Sequence, residues 1–93
     1  MSFEVKIITP EDIFFQGRST SLTAPGALGY FGVLTGHAPL VTPLTQGEVK
    51  VRVEGGGEKR FGIEGGFLEV AKDEVLILVE KIAEASAAPS GEV

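Results

Sequence analysis

His37 is the single histidine of this 93-residue chain and sits between Gly36 and Ala38, within the stretch GYFGVLTGHAPLVTPLT at residues 29–45. An imidazole titrates near neutral pH, so it could act as a general base if a carboxylate oriented it. Glu11 and Asp12, adjacent in a turn, are the carboxylates such chemistry would recruit. A small cytoplasmic β-barrel enzyme using His37 with Glu11 or Asp12 is therefore one expectation to carry forward. The rest of the inventory opposes it. There is no cysteine, which removes thiolate nucleophiles, disulfides and thiolate metal sites. One histidine and no HExxH or CxxC spacing leave no metal site to expect. Ser19 and Ser21 lie in an apparent strand, without the Gly-x-Ser-x-Gly turn that exposes a nucleophile. Gly29, Gly32 and Gly36 lack both the GxGxxG spacing and the following helix of a dinucleotide loop, and Gly55–Gly57 lacks the Lys-Ser/Thr of a phosphate cradle and reads as a plain turn. The residues thus predict no catalytic centre and no cofactor. His37 is expected to bond nearby backbone and hold its loop.

The elements that must position these residues are strands. At this length the chain forms one domain with one modest core. No apolar run approaches the ~20 residues of a membrane-spanning helix. A formal charge of −5 repels phosphate backbones, so nucleic acid is an unexpected partner. The opening MSFEVKIITP alternates Phe3, Val5 and Ile7 with Glu4 and Lys6, a strand pattern and not a signal peptide. With the absence of cysteine, this points to the cytoplasm, and disfavours a secreted carbohydrate-binding sandwich.

Thr9-Pro10-Glu11-Asp12 breaks the first strand with turn chemistry, and Ile13, Phe14 and Phe15 supply core bulk. Arg18–Thr23 is a polar strand and Ala24–Ala27 a loop. Pro39 and Pro43 confine any strand through Leu40–Leu44 to a short, bulged or edge position. Val49, Val51 and Val53 alternate with charged neighbours and turn through Gly55–Gly57 into Lys59–Glu64, a hairpin. Gly65-Gly66 separates that strand from Phe67–Ala71, and Lys72-Asp73 connects tightly to Glu74–Lys81. In this last strand Val75, Ile77 and Val79 fill one parity and Leu76 and Leu78 the other, so either curvature or a partner must cover the second face. From Ile82 an Ala-rich stretch could begin a helical turn before Pro89, too short to be stable. The expected fold is all-β: an antiparallel two-sheet β-sandwich of about eight to ten short strands over residues 1–84, with a short frayed tail at 85–93.

Gly32–Leu44, GVLTGHAPLVTPL, followed by Gly47, resembles the GxLPGHAPxxTxLxxG-like signature of the epsilon subunit of F-type ATP synthase. Gly65-Gly66-Phe67-Leu68-Glu69-Val70 and the apolar Val75–Val79 are similar to the family's GGxxEV segment and its next strand, and Phe3–Ile8, Thr9-Pro10-Glu11 and Phe15-Gln16-Gly17 fit its opening. The resemblance covers residues 2–84. It implies a non-catalytic β-sandwich in the rotating central stalk, peripheral to the membrane on its cytoplasmic face, linking the gamma subunit to the c-ring and coupling ion-driven rotation to ATP synthesis. By position it implies a gamma-facing surface with Thr9, His37 and Thr42, to which Leu76 and Leu78 are added from the strand pattern. It maps the ring-facing loop to Leu28, Gly29, Tyr30 and Phe31. Tyr30 stands where many relatives have an acidic residue, and Thr35 where they have Pro, so the ring contact is expected to be more apolar, anchored by Tyr30 and Phe31. The family's C-terminal helical hairpin, which inhibits hydrolysis, has no counterpart before Val93. The tail composition suggests a natural short form, and no nucleotide binding is expected without that hairpin.

Overall fold

Phe3, Val5 and Ile7 are buried with half-buried Glu4, Lys6 and Ile8 between them, the pattern of a strand with one face on the core. The computed structural model describes residues 1–85. It contains seven strands: β1 (Phe3–Ile8), β2 (Ile13–Gly26), β3 (Gly29–Leu34), β4 (Leu40–Val53), β5 (Glu58–Ala71), β6 (Glu74–Leu78) and β7 (Ile82–Ala85). The described residues include no helix.

Strands β2, β4 and β5 are 14 residues each. Straight, each would span about 45 Å at ~3.3 Å per residue, yet the longest molecular extent is 37 Å. They therefore bend, and each serves two layers. The first layer runs β2 (first half), β1, β6, β5 (second half), β4 (first half); the second runs β3, β2 (second half), β4 (second half), β5 (first half), β7. Counting each long strand once per layer recovers the short-strand sandwich that the turn residues imply. Pairing is antiparallel apart from β1 with β6. These two are distant in the chain, so no hairpin sets their direction, and β1 closes the layer between the β1–β2 and β5–β6 hairpins.

The inward parity changes wherever a strand changes layer. In β5 the buried residues are Phe61 and Ile63, then Leu68 and Val70; in β4 they are Leu44, then Val49 and Val51. Gly65 and Gly66 sit at the β5 corner with φ of 131° and 150°, a region Gly reaches without strain. At the β2 crossing the register shifts between Ser19 and Ser21. Ser19 is buried there, its hydroxyl 2.7 Å from Ser21 O and 2.8 Å from Arg52 O while accepting the Ser21 N–H at 3.2 Å, so the bulge leaves no orphaned polar atom on it. The inner faces of both layers form one cluster from Phe3, Val5, Ile7, Leu22, Val33, Val49, Val51, Phe61, Leu68, Val75 and Ile77. Phe15 tilts against Phe61 at 5.3 Å between ring centroids and adds a partly buried flank.

The Gly55–Gly57 turn closes the β4–β5 hairpin, with Val53 N–H donating to Gly57 O at 3.0 Å. Lys72 and Asp73 turn β5 into β6 with φ of 46° and 40°, the left-handed pair of a type I′ turn built without glycine. Ile82–Ala85 is a strand on the edge of β5, not the start of a helical turn; Ile82 packs on the core opposite Ile63, and that burial outweighs the weak helical preference of a few alanines. The expected frayed tail falls, beyond Ala85, outside the described residues.

Candidate functional site

Residues opposite one another in register share a face, and this places four outward side chains in one row across the first layer: Pro43 opposite Phe67, Phe67 opposite Leu78, Leu78 opposite Ile8. The next row holds Val41, Glu69, Leu76 and Lys6. Val41 is 71% exposed, Phe67 56% and Leu78 45%, so curvature does not cover this face. Contiguous apolar surface of this kind makes the face a candidate interaction site. Leu76 and Leu78 do lie on it, as the strand pattern suggested. The same face also holds Val41, Pro43 and Phe67, which no strand pattern singles out by itself. The signal was present in Phe67-Leu68-Glu69-Val70, where burial of Leu68 and Val70 forces Phe67 outwards beside Glu69.

Beside this row lies a groove of about 650 Å³ lined by Ile8, Thr9, Pro10, Glu64–Phe67 and Leu78–Lys81. Gly65 and Gly66 form part of its lining. A Cβ on Gly66 would run into the carbonyl of Leu78 and the side chain of Val79, prising β5 from β6. Thr9 reaches the groove from the β1–β2 turn, where its N–H donates to Asp12 O at 2.9 Å and its hydroxyl to the same oxygen at 3.2 Å.

The second surface is the β2–β3 hairpin tip, hung from the same corner of the sandwich: Gly26 lies opposite Leu44, and Leu44 opposite Gly66. Leu28 is fully exposed and Gly29 holds φ of 124°. Tyr30 is 60% exposed, but its hydroxyl accepts the Glu48 N–H at 2.9 Å and sits against Gly47. A Cβ there would come within 2.7 Å of the Tyr30 oxygen and 2.8 Å of Pro25 Cβ, so Gly47 is what leaves room for the Tyr30 hydroxyl to reach the β4 backbone. Phe31 differs: it is half-buried, packs on the core cluster and covers Gly26. The exposed side chains of this tip are Leu28 and Tyr30, with Phe31 packed beneath them.

His37 sits in the β3–β4 connection. Its N–H donates to Leu34 O at 3.1 Å and Nδ1 lies 2.7 Å from Ala38 O; a carbonyl can only accept, so Nδ1 carries the proton. The ring is spent on shaping its loop. Asp12 accepts the Ile13 N–H at 2.7 Å, and no hydrogen bond joins His37 to Glu11 or Asp12 among the described residues. The described residues also hold no cluster of three or more metal-ligating side chains. Thr42 is half-buried on the inward parity, opposite buried Leu68, while its neighbours Val41 and Pro43 face out.

The chain matches a family model described as the ATP synthase Delta/Epsilon chain β-sandwich domain, over residues 2–85. An ATP synthase epsilon chain of Moorella thermoacetica is 47% identical over 79 residues, covering 85% of this chain and 59% of that one. The epsilon chain of Chlorobium limicola is 40% identical over 82 residues, covering 88% and 93%. A chain in the mitochondrial ATP synthase of Euglena gracilis, an assembly of OSCP, F1 and c-ring, superposes with a TM-score of 0.84 at 26% identity over 89% of this chain and 53% of that one. A chain of the Tetrahymena thermophila central stalk and c-ring shares the fold, with a TM-score of 0.72 at 19% identity over 97% of this chain and 75% of that one.

Proposed function

We propose, from the premise that this chain belongs to the ATP synthase delta/epsilon β-sandwich family, that it is a non-catalytic subunit of the central stalk, joining the gamma subunit to the c-ring. The observation that carries this is the family match across both layers of the sandwich. The apolar first-layer face, centred on Phe67 and Leu78, is the gamma-facing surface, with Thr9 at its rim. His37 and Thr42 belong to this assignment by family position alone. The hairpin tip with Leu28, Gly29, Tyr30 and Phe31 faces the ring. Rotation driven by ion flow through the ring passes to gamma through this clamp. A β-sheet suits that work, because its interstrand hydrogen bonds resist shear while two outer surfaces hold separate partners. The subunit is peripheral, carried at the cytoplasmic face of the membrane by the complex.

A pull-down with recombinant gamma subunit tests the reading. A stoichiometric complex surviving gel filtration is the expected result; no retention at micromolar concentration overturns it. The ring contact is probed separately with Leu28→Asp, which puts charge on a fully exposed anchor without touching the core. It should loosen stalk–ring association and leave gamma binding intact. His37→Ala should weaken assembly at most, whereas an enzyme using His37 would lose turnover.

A further inference from the structure

The groove carries charge that the fold leaves unused. Glu64 and Glu80 on its rim are both exposed, against a single cation, Lys81. Among the described residues the one ion pair joins Lys59 to Glu84, away from this groove. Pro10 brings the acidic turn residues Glu11 and Asp12 close by in the chain, and Glu69 stands in the next outward row. The walls between these carboxylates are apolar: Ile8, Phe67, Leu78 and Val79.

An occupant that covers Phe67 and Leu78 also takes Glu64 and Glu80 out of water. A wholly apolar occupant would strand two carboxylates, and an acidic one would be repelled. A Lys or Arg meets both demands, since its aliphatic stem lies on apolar walls while its head reaches the rim. The groove is within the ~300–1,000 Å³ of small-molecule pockets, room for more than one side chain. We infer that the groove receives a basic side chain carried on an apolar segment of the gamma subunit, with the cation held by Glu64 and Glu80. This rests on the stalk assignment and adds what gamma must present there. Charge pairing at the rim sets the register in which gamma docks and speeds encounter, because the acidic field draws the cation in.

The test is gamma-subunit binding by the full chain, measured at ~50 mM and ~500 mM salt, where charges are screened beyond roughly 14 Å and 4 Å. E64K/E80K should bind gamma about tenfold more weakly, or worse, at low salt, and the gap from the wild type should narrow at high salt. E64Q/E80Q, which keeps size and removes only charge, should fall between them and serves if the lysine variant misfolds. Glu54→Lys, in the turn at the far end of the β4–β5 hairpin, should change little. Equal or tighter binding by E64K/E80K or E64Q/E80Q at low salt would overturn the inference while leaving the stalk assignment standing. Absence of wild-type binding at either salt would sink both.

Discussion

Across the first layer the outward row runs Pro43, Phe67, Leu78, Ile8; across the second it runs Gly32, Thr23, Lys50, Arg60. Both rows ride on strands whose inward residues belong to one apolar cluster, and β4 and β5 contribute to both. The difference therefore does not come from the core. Lys50 directly faces Arg60, a like-charge pair that costs a little and is tolerable only where water solvates both. Phe67 facing Leu78 leaves apolar area in water that a partner would cover. One sandwich thus carries a polar face and an apolar face that differ by outward side chains alone, and the apolar one is the face proposed to dock gamma. The layer corners keep the two apart.

The sharpest way to break this contrast is to remove the corner. Gly66→Ala forces a side chain into the β5–β6 junction at φ of 150°, and should cost roughly 3 kcal/mol or more through backbone strain and collision. Urea denaturation would read it; an unchanged midpoint would mean the corner is not as tight as the glycine geometry requires. Next comes a paired test of inward against outward residues. Leu68→Ala should destabilise by about 2–5 kcal/mol. The double change Phe67→Ser with Leu78→Ser should shift stability by under about 1 kcal/mol, as for surface positions, yet cost gamma binding tenfold or more. If the double change unfolded the chain and spared binding, the docking face would be core instead.

A smaller effect of opposite sign is expected at the β5–β6 turn. Lys72→Asn with Asp73→Gly replaces two strained residues by the pair a type I′ turn prefers, and should stabilise by about 1 kcal/mol. Thermal melting would check it. Tyr30→Phe removes the hydroxyl that accepts the Glu48 N–H and should cost about 0.5–1 kcal/mol while keeping the aromatic ring. The smallest change is Arg60→Thr on the solvent face. Relief of the like-charge pair should raise stability by no more than ~0.5 kcal/mol, with gamma binding unaltered.

Much of the fold was legible because alternation is a local signal. Phe3/Val5/Ile7, Val49/Val51 and Val75/Ile77 each declared an inward face before any partner strand was known. The strands were read shorter than they are, since a change of parity at Gly65-Gly66, or around Thr45–Gly47, looks locally the same as a turn between strands. The candidate site was legible only in part. Leu76 and Leu78 stood out because one strand was apolar on both parities. Phe67, Val41 and Pro43 did not, because each is a single apolar residue whose significance arises only beside cross-strand neighbours. Tyr30 and Phe31, adjacent in sequence, looked equivalent as anchors, yet one lies on the surface of β4 and the other packs on the core.

What the sequence determined by itself was the strand periodicity, the two tight hairpin connections at Gly55–Gly57 and Lys72-Asp73, and the signature from Gly32 to Gly47. These rest on neighbours within a few residues, where backbone sterics and side-chain alternation act. Tertiary structure alone decided that Pro43, Phe67, Leu78 and Ile8 form one surface, that a groove lined by Gly65 and Gly66 lies beside it, and that Glu64 and Glu80 share that groove. Register between distant strands is set by the packing of the common core, and no local pattern encodes which outward residues that register will bring together.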